Sequence, residues 1–157
     1  MVITTFLVEH PWITTIAFVT TVAIGPVAGY WLVVRPRLGK WAGLVSLLPL
    51  VALTLVPGSR DLAMGCANEW DLPTFGAVEL MANVVLFVPP VLFLGVAIRR
   101  PLAVWLGASM GSVLIEVTQA LVPALGRSCS TNDWLANTLG SALGAAIAAL
   151  ALWLRRA

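Results

Sequence analysis

Ser109, Ser112, Glu116 and Gln119 stand on one apolar stretch at spacings of three, four and three. On a helix this spacing puts all four on one face, and Trp105 shares that face further along. A carboxylate set among hydroxyls and an amide can do two kinds of work. It can move a proton as a general acid or base, or it can hold a polar group by charge-assisted hydrogen bonds. Arg127 comes about two to three helical turns after Glu116. Its guanidinium suits a phosphate or carboxylate and could stabilise developing negative charge. Asp133 and Asn137 lie one turn apart further on, and Asn83 opens an earlier apolar stretch. The candidate ligand-binding set is therefore Asn83, Ser112, Glu116, Gln119, Arg127, Asp133 and Asn137. Glu116 and Arg127 form the pair expected to matter most, with Glu116 holding Arg127 in position; they are also the candidate catalytic residues. Asp133 has a second use at a helix start, where its carboxylate can cap free amides.

The elements that position these residues are membrane spans. The chain has 157 residues, 60% of them hydrophobic and only 10% charged. A soluble domain carries roughly a quarter charged residues. A helix needs roughly 20 apolar residues to cross a bilayer, and five such runs fit: about 12–34, 38–56, 81–98, 102–122 and 134–154. The expectation is an all-α membrane protein, a single membrane domain over 1–157 built as a five-helix transmembrane bundle. Gly25-Pro26 predicts a kink or local break in the first run. Pro49 interrupts the second, and Pro89-Pro90 in the third frees carbonyls that need protein or water partners. Gly140 and Gly144 in the fifth run allow close helix packing. The opening residues MVITTFLVEHP lack a basic region and a small-residue cleavage site, and are expected to be an uncleaved tail.

Charge sets the expected orientation. Seven of the nine Lys and Arg residues lie between runs one and two (Arg35, Arg37, Lys40), between three and four (Arg99, Arg100), or after run five (Arg155, Arg156). An odd number of spans puts these three places on one side, which the positive-inside rule makes cytoplasmic. The N-terminus is then outside and the C-terminus inside. Glu9, Asp61, Glu69, Asp71, Glu79 and Asp133 fall on the opposite side. The loop over 57–80, about two dozen residues, becomes extracytoplasmic; loops beyond ~12–15 residues are usually functional or disordered. Thr74–Leu80 within it reads as a helical turn entering the third span.

Cys66 and Cys129 follow spans two and four, so both face outside. Disulfides form and persist there. A Cys66–Cys129 bridge would fasten the long loop over the polar residues; the alternative is two unrelated free thiols. No histidine accompanies the cysteines, so a metal site is not expected, nor is a cofactor. No basic patch with interleaved aromatics marks nucleic-acid binding. Membrane lipids are the expected surroundings.

The ordered text Asn83-Val-Val-Leu-Phe-Val-Pro89, Ser112-x-x-x-Glu116-x-x-Gln119, Gly126-Arg127 and Asp133-x-x-x-Asn137-x-x-Gly140-x-x-x-Gly144 resembles the VanZ-like family of small bacterial membrane proteins. The likeness covers about 81–154. The two cysteines look like a feature of an actinobacterial branch. The family often carries a second acidic residue midway between its Arg and Asp; here that place is Ser130, which weakens a paired-carboxylate or metal reading. The resemblance implies a multi-pass protein of the bacterial cytoplasmic membrane. The family's namesake is associated with low-level resistance to the glycopeptide teicoplanin.

Three functions compete. The first is binding or shielding of a lipid-linked envelope precursor, glycopeptide or lipopeptide in an outer polar cavity. The second is an intramembrane enzyme acting on an envelope lipid, although no HExxH, GxSxG or nucleophile–base spacing is present. The third is an accessory subunit of a membrane complex, docking through the small-residue face of the fifth span.

Overall fold

The computed structural model describes residues 6–7, 9–55, 57 and 65–156. Part of the expected N-terminal tail, the Val56 end of the second run, and Asp61 within the long loop lie outside the described residues. Among the described residues five long helices form: α1 (Trp12–Leu32), α2 (Pro36–Leu55), α3 (Val78–Ile98), α4 (Pro101–Leu121) and α5 (Thr131–Leu154). All five are long and apolar enough to cross a membrane. Two short strands, β1 (Cys66–Ala67) and β2 (Cys129–Ser130), pair in parallel.

The helices fall where hydropathy places them, and the shifts at their ends have local causes. α5 starts three residues earlier than the apolar run because Ser130 caps it, its hydroxyl accepting the Asn132 N–H. Ser130 therefore takes the capping role expected of Asp133, which sits inside the first turn. α3 also starts earlier, after a turn in which Ala77 N–H donates to the Thr74 carbonyl at 2.9 Å. That turn agrees with the one expected over Thr74–Leu80. α1 continues through Gly25-Pro26 without the break expected there, and α2 and α3 likewise run through their prolines. Between α3 and α4 the chain reverses within Arg99, which adopts a left-handed conformation (φ 58°), and Arg100. Pro101 then occupies the first position of α4, where its missing N–H costs nothing.

α3 and α5 make the centre. About half of each apolar window is buried, 56% and 50%, against 17%, 22% and 11% for α1, α2 and α4. The two run parallel with backbones close together. A Cβ on Gly140 would collide with the Val84 carbonyl, and one on Gly144 would lie 2.6 Å from the Val88 carbonyl oxygen. At both positions the missing side chain leaves room for the α3 backbone. α1 joins the same side: Gly25 faces Leu92 and Ile147, and Gly29 faces Leu92 and Ala151. The buried cluster of Leu32, Val33, Val88, Leu92, Val96, Ile147, Ala148, Ala151 and Leu152 fills the junction. α2 leans on α3 through Gly39 against Ala97 and Gly43 against Leu94.

The two ends of the bundle differ in charge. At one end Arg35 stacks on Trp31, and Arg155 stacks on Tyr30 at 4.1 Å from the ring centroid. At the other end gather the cysteines, Glu69, Asp71, Glu79, Glu116 and Asp133. The bundle thus has a basic end and a disulfide end.

Candidate functional site

α4 carries a two-sided pattern. Met110, Leu114, Val117 and Leu121 are 46–66% exposed and form an apolar outer face. Ser112, Glu116 and Gln119 are buried on the opposite face, as their spacing predicts. The polar face meets α5 in a ladder. Trp105 Nε1 donates to the Thr138 carbonyl at 3.2 Å, and Ser109 bonds the Thr138 hydroxyl at 2.9 Å. One step up, Asn137 Nδ2 donates to Ser112 Oγ at 2.9 Å. At the top, Ser130 N–H donates to Glu116 Oε2 at 3.0 Å.

Glu116 thus holds the end of β2, at the residue that caps α5. Gln119 does something different from the ligand contact expected of it. Its amide donates to the Thr54 carbonyl at 2.8 Å. Thr54 lies in the last turn of α2, where carbonyls have no partner within the helix. Gln119 satisfies one of them and ties α2 to α4. Asn83 donates from α3 to Asp133 Oδ1 at 2.8 Å. The polar groups of α3, α4 and α5 therefore do meet at one level, chiefly by bonding one another. Arg127 stands half-buried in the turn after Gly126, whose φ of 56° lets the chain double back before β2.

The cysteines are bonded: Cys66 and Cys129 form a disulfide with their Cα atoms 4.5 Å apart. They sit opposite each other in the β1–β2 register, with Ala67 opposite Ser130. The segment after Cys66 is then stitched to the start of α5. Glu69 N–H donates to Thr131 Oγ1 at 2.8 Å, and the Thr131 hydroxyl donates to the Glu69 carbonyl. Asp71 N–H donates to Asn132 Oδ1 at 2.7 Å. Asn132 Nδ2 reaches Asp71 Oδ2 at 3.2 Å and Glu69 Oε2 at 3.4 Å. Trp70 crosses the Trp134 ring edge-on, with centroids 6.2 Å apart.

Under this strap lies a cavity of about 450 Å³. Glu69, Glu79, Asp133, Asn132, Ser128 and Ser130 give it its polar wall. Glu79 and Glu69 are near enough to act on the Asp133 charge. Of the residues expected to bind a ligand, Asp133 alone borders this space; Glu116 and Asn83 hold its wall at Ser130 and Asp133, while Asn137 bonds Ser112 deeper between α4 and α5. Spacing does not single out Glu69, Glu79, Asn132 and Ser128: Glu69 and Ser128 lie in loops, and Glu79 and Asn132 lie in the first turns of α3 and α5, outside the apolar runs whose period reveals a face. Among the described residues, no group of three or more His, Cys, Asp or Glu side chains could hold a metal ion.

No curated protein and no solved structure matches the chain. The family model described as VanZ/LLP1 matches residues 12–153, which takes in all five helices and extends the likeness well beyond the last three. The ladder, the capped start of α5 and the glycine-packed centre are thus features of a multi-pass membrane protein that belongs to the VanZ/LLP1 family.

Proposed function

We propose that this protein binds or shields a peptide-bearing component of the bacterial envelope at the extracytoplasmic face of the cytoplasmic membrane. The observation that carries the reading is the acidic cavity under the disulfide strap. Three carboxylates and three neutral polar residues border it. Such a wall suits ammonium and amide N–H groups. Lipid-linked peptide precursors and glycopeptides present both. The orientation rests on charge: the basic end takes the cytoplasmic side, and the disulfide end faces an oxidising space. Lipid tails would lie on the exposed apolar faces, such as Met110, Leu114 and Val117 of α4. Arg127, next to the strap, would meet a phosphate or carboxylate of the same ligand. A contribution to teicoplanin-type resistance follows if the ligand is a glycopeptide or its target.

Glu116 supports binding rather than catalysis. It is absent from the cavity wall, and its carboxylate holds a backbone N–H. The test is capture of lipids by the purified protein in nanodiscs. A lipid-linked precursor with a free amine should be enriched over bulk phospholipid, and its N-acetylated form should lose the enrichment. Equal recovery of precursor and phospholipid would overturn the proposal. Glu116→Gln keeps an acceptor oxygen for Ser130 and should retain binding.

A further inference from the structure

Hydroxyls inside these helices satisfy themselves in a regular way. Thr14 donates to the Pro11 carbonyl at 2.9 Å, Thr21 to Ala17 at 2.7 Å, Thr54 to Leu50 at 2.7 Å and Thr118 to Leu114 at 2.7 Å. Ser46 does the same toward Gly43 at 2.7 Å. Ser141 does not. It is 0% exposed, and its hydroxyl has no partner among the described residues. Asn137, one turn earlier and 2% exposed, has the same deficit at Oδ1. Its other amide atom is already committed to Ser112 Oγ at 2.9 Å. Rotating the Asn137 amide exchanges its two ends and still leaves one unpartnered, because Ser112 supplies one hydroxyl.

These two orphans are neighbours. Positions i and i+4 on a helix face are about 5–6 Å apart. That is the separation of their Cβ atoms; no direct bond joins the two side chains, and one bridging oxygen about 2.8 Å from each could serve both. Trp134 Nε1, also buried and unpartnered, continues the line three residues earlier toward the disulfide end. In hydrocarbon an unpaired polar group has no solvent to turn to, and buried waters typically fill such sites with two to four polar partners.

We propose that the α4–α5 seam is a hydrated site, with a bound water bridging Asn137 and Ser141. The inference is independent of the ligand in the acidic cavity. The test is a map of the full protein in lipid nanodiscs, at a resolution where ordered waters at the disulfide end are visible. A peak about 3 Å from both the Asn137 amide and Ser141 Oγ is expected. It should disappear in the Asn137→Leu, Ser141→Ala variant. A seam with no peak, a density larger than water, or Ser141 donating to its own helix backbone would each overturn the proposal. Should the double variant fail to fold, the wild type decides by NMR. A cross-peak between water and the Asn137 side-chain amide is expected, and its absence in a spectrum where other buried waters are seen counts against the site.

Discussion

α4 and α5 each carry two glycines four residues apart, and the two pairs live in different surroundings. On α5, Gly140 and Gly144 press against the carbonyls of Val84 and Val88. On α4, a Cβ added to Gly107 or Gly111 would meet nothing within 4 Å. The same spacing is a close-packing device in one helix and an open surface in the other. The difference lies in what each helix faces. α5 is buried in the bundle by α3, α1 and α4, whereas α4 touches its neighbours along one polar stripe and shows its other face to lipid. Spacing proposes a close approach; only a partner backbone makes it one.

The largest effect should come from attacking the α5 pair. Gly140→Leu drives a side chain into the α3 backbone, which cannot retreat as a flexible side chain would. Folded protein should be lost, read as aggregation on size exclusion after mild detergent extraction. Gly140→Ala places its Cβ against the same backbone carbonyl and should cost at least the upper end of the overpacking range, about 3 kcal/mol, measured as a lowered thermal midpoint. If both variants behave like wild type, the α3–α5 contact is looser than described.

Next comes the bond that joins α3 to α5 above the glycines. Asn83→Ala strips Asp133 of its side-chain donor. Interhelical hydrogen bonds in membranes are worth roughly 0.6 kcal/mol, with a maximum near 1.7. A loss of about 1 kcal/mol is therefore expected, with a larger proportional loss of ligand capture, since Asp133 borders the cavity.

Smaller globally, and confined to one end, is the effect of replacing both cysteines with serine. The strap keeps its bonds to Thr131 and Asn132 but loses its covalent tie. Hydrogen exchange at 67–71 should accelerate about tenfold, a local opening worth ~1.4 kcal/mol less. Exchange in the α3–α5 centre should stay unchanged. A uniform rise across the helices would mean the bridge holds the bundle rather than the strap.

At the α4 pair no loss is expected at all. Gly107→Ala with Gly111→Ala removes flexible positions from an open helix face. Helix propensity favours alanine by roughly 0.5–1 kcal/mol per site. The double variant should be as stable as wild type or slightly more so in a thermal unfolding assay. Destabilisation would reveal an unseen partner on that face.

Legibility follows the same division. The five helices were readable because hydrocarbon imposes length and composition on every span. The buried face of α4 was readable because three-four-three spacing allows one answer. The disulfide was readable because two spans separate the cysteines, which returns both to one side. What spacing could not give is the use of each polar group. Gln119 lies on the right face but serves the frayed carbonyl of Thr54, a partner 65 residues away. Ser130 takes the cap assigned to Asp133, since a serine placed just before a helix reaches the second N–H as well as an aspartate does. The cavity wall comes from the strap, the strand pair and the first turns of α3 and α5, mostly beyond the apolar runs, where no period reveals direction.

The disulfide also closes a covalent ring. Its cysteines are 63 positions apart, and the ring encloses α3 and α4 entire. Two crossings return the chain to the side it left, so the bridge fits a fully inserted α3–α4 hairpin; with one of the two helices across the bilayer the cysteines would lie on opposite faces and could not join. The ring has a second property: one proteolytic cut at the exposed Arg99–Arg100 bond opens it without releasing a fragment. The two halves should run as one band without reductant and as two with it.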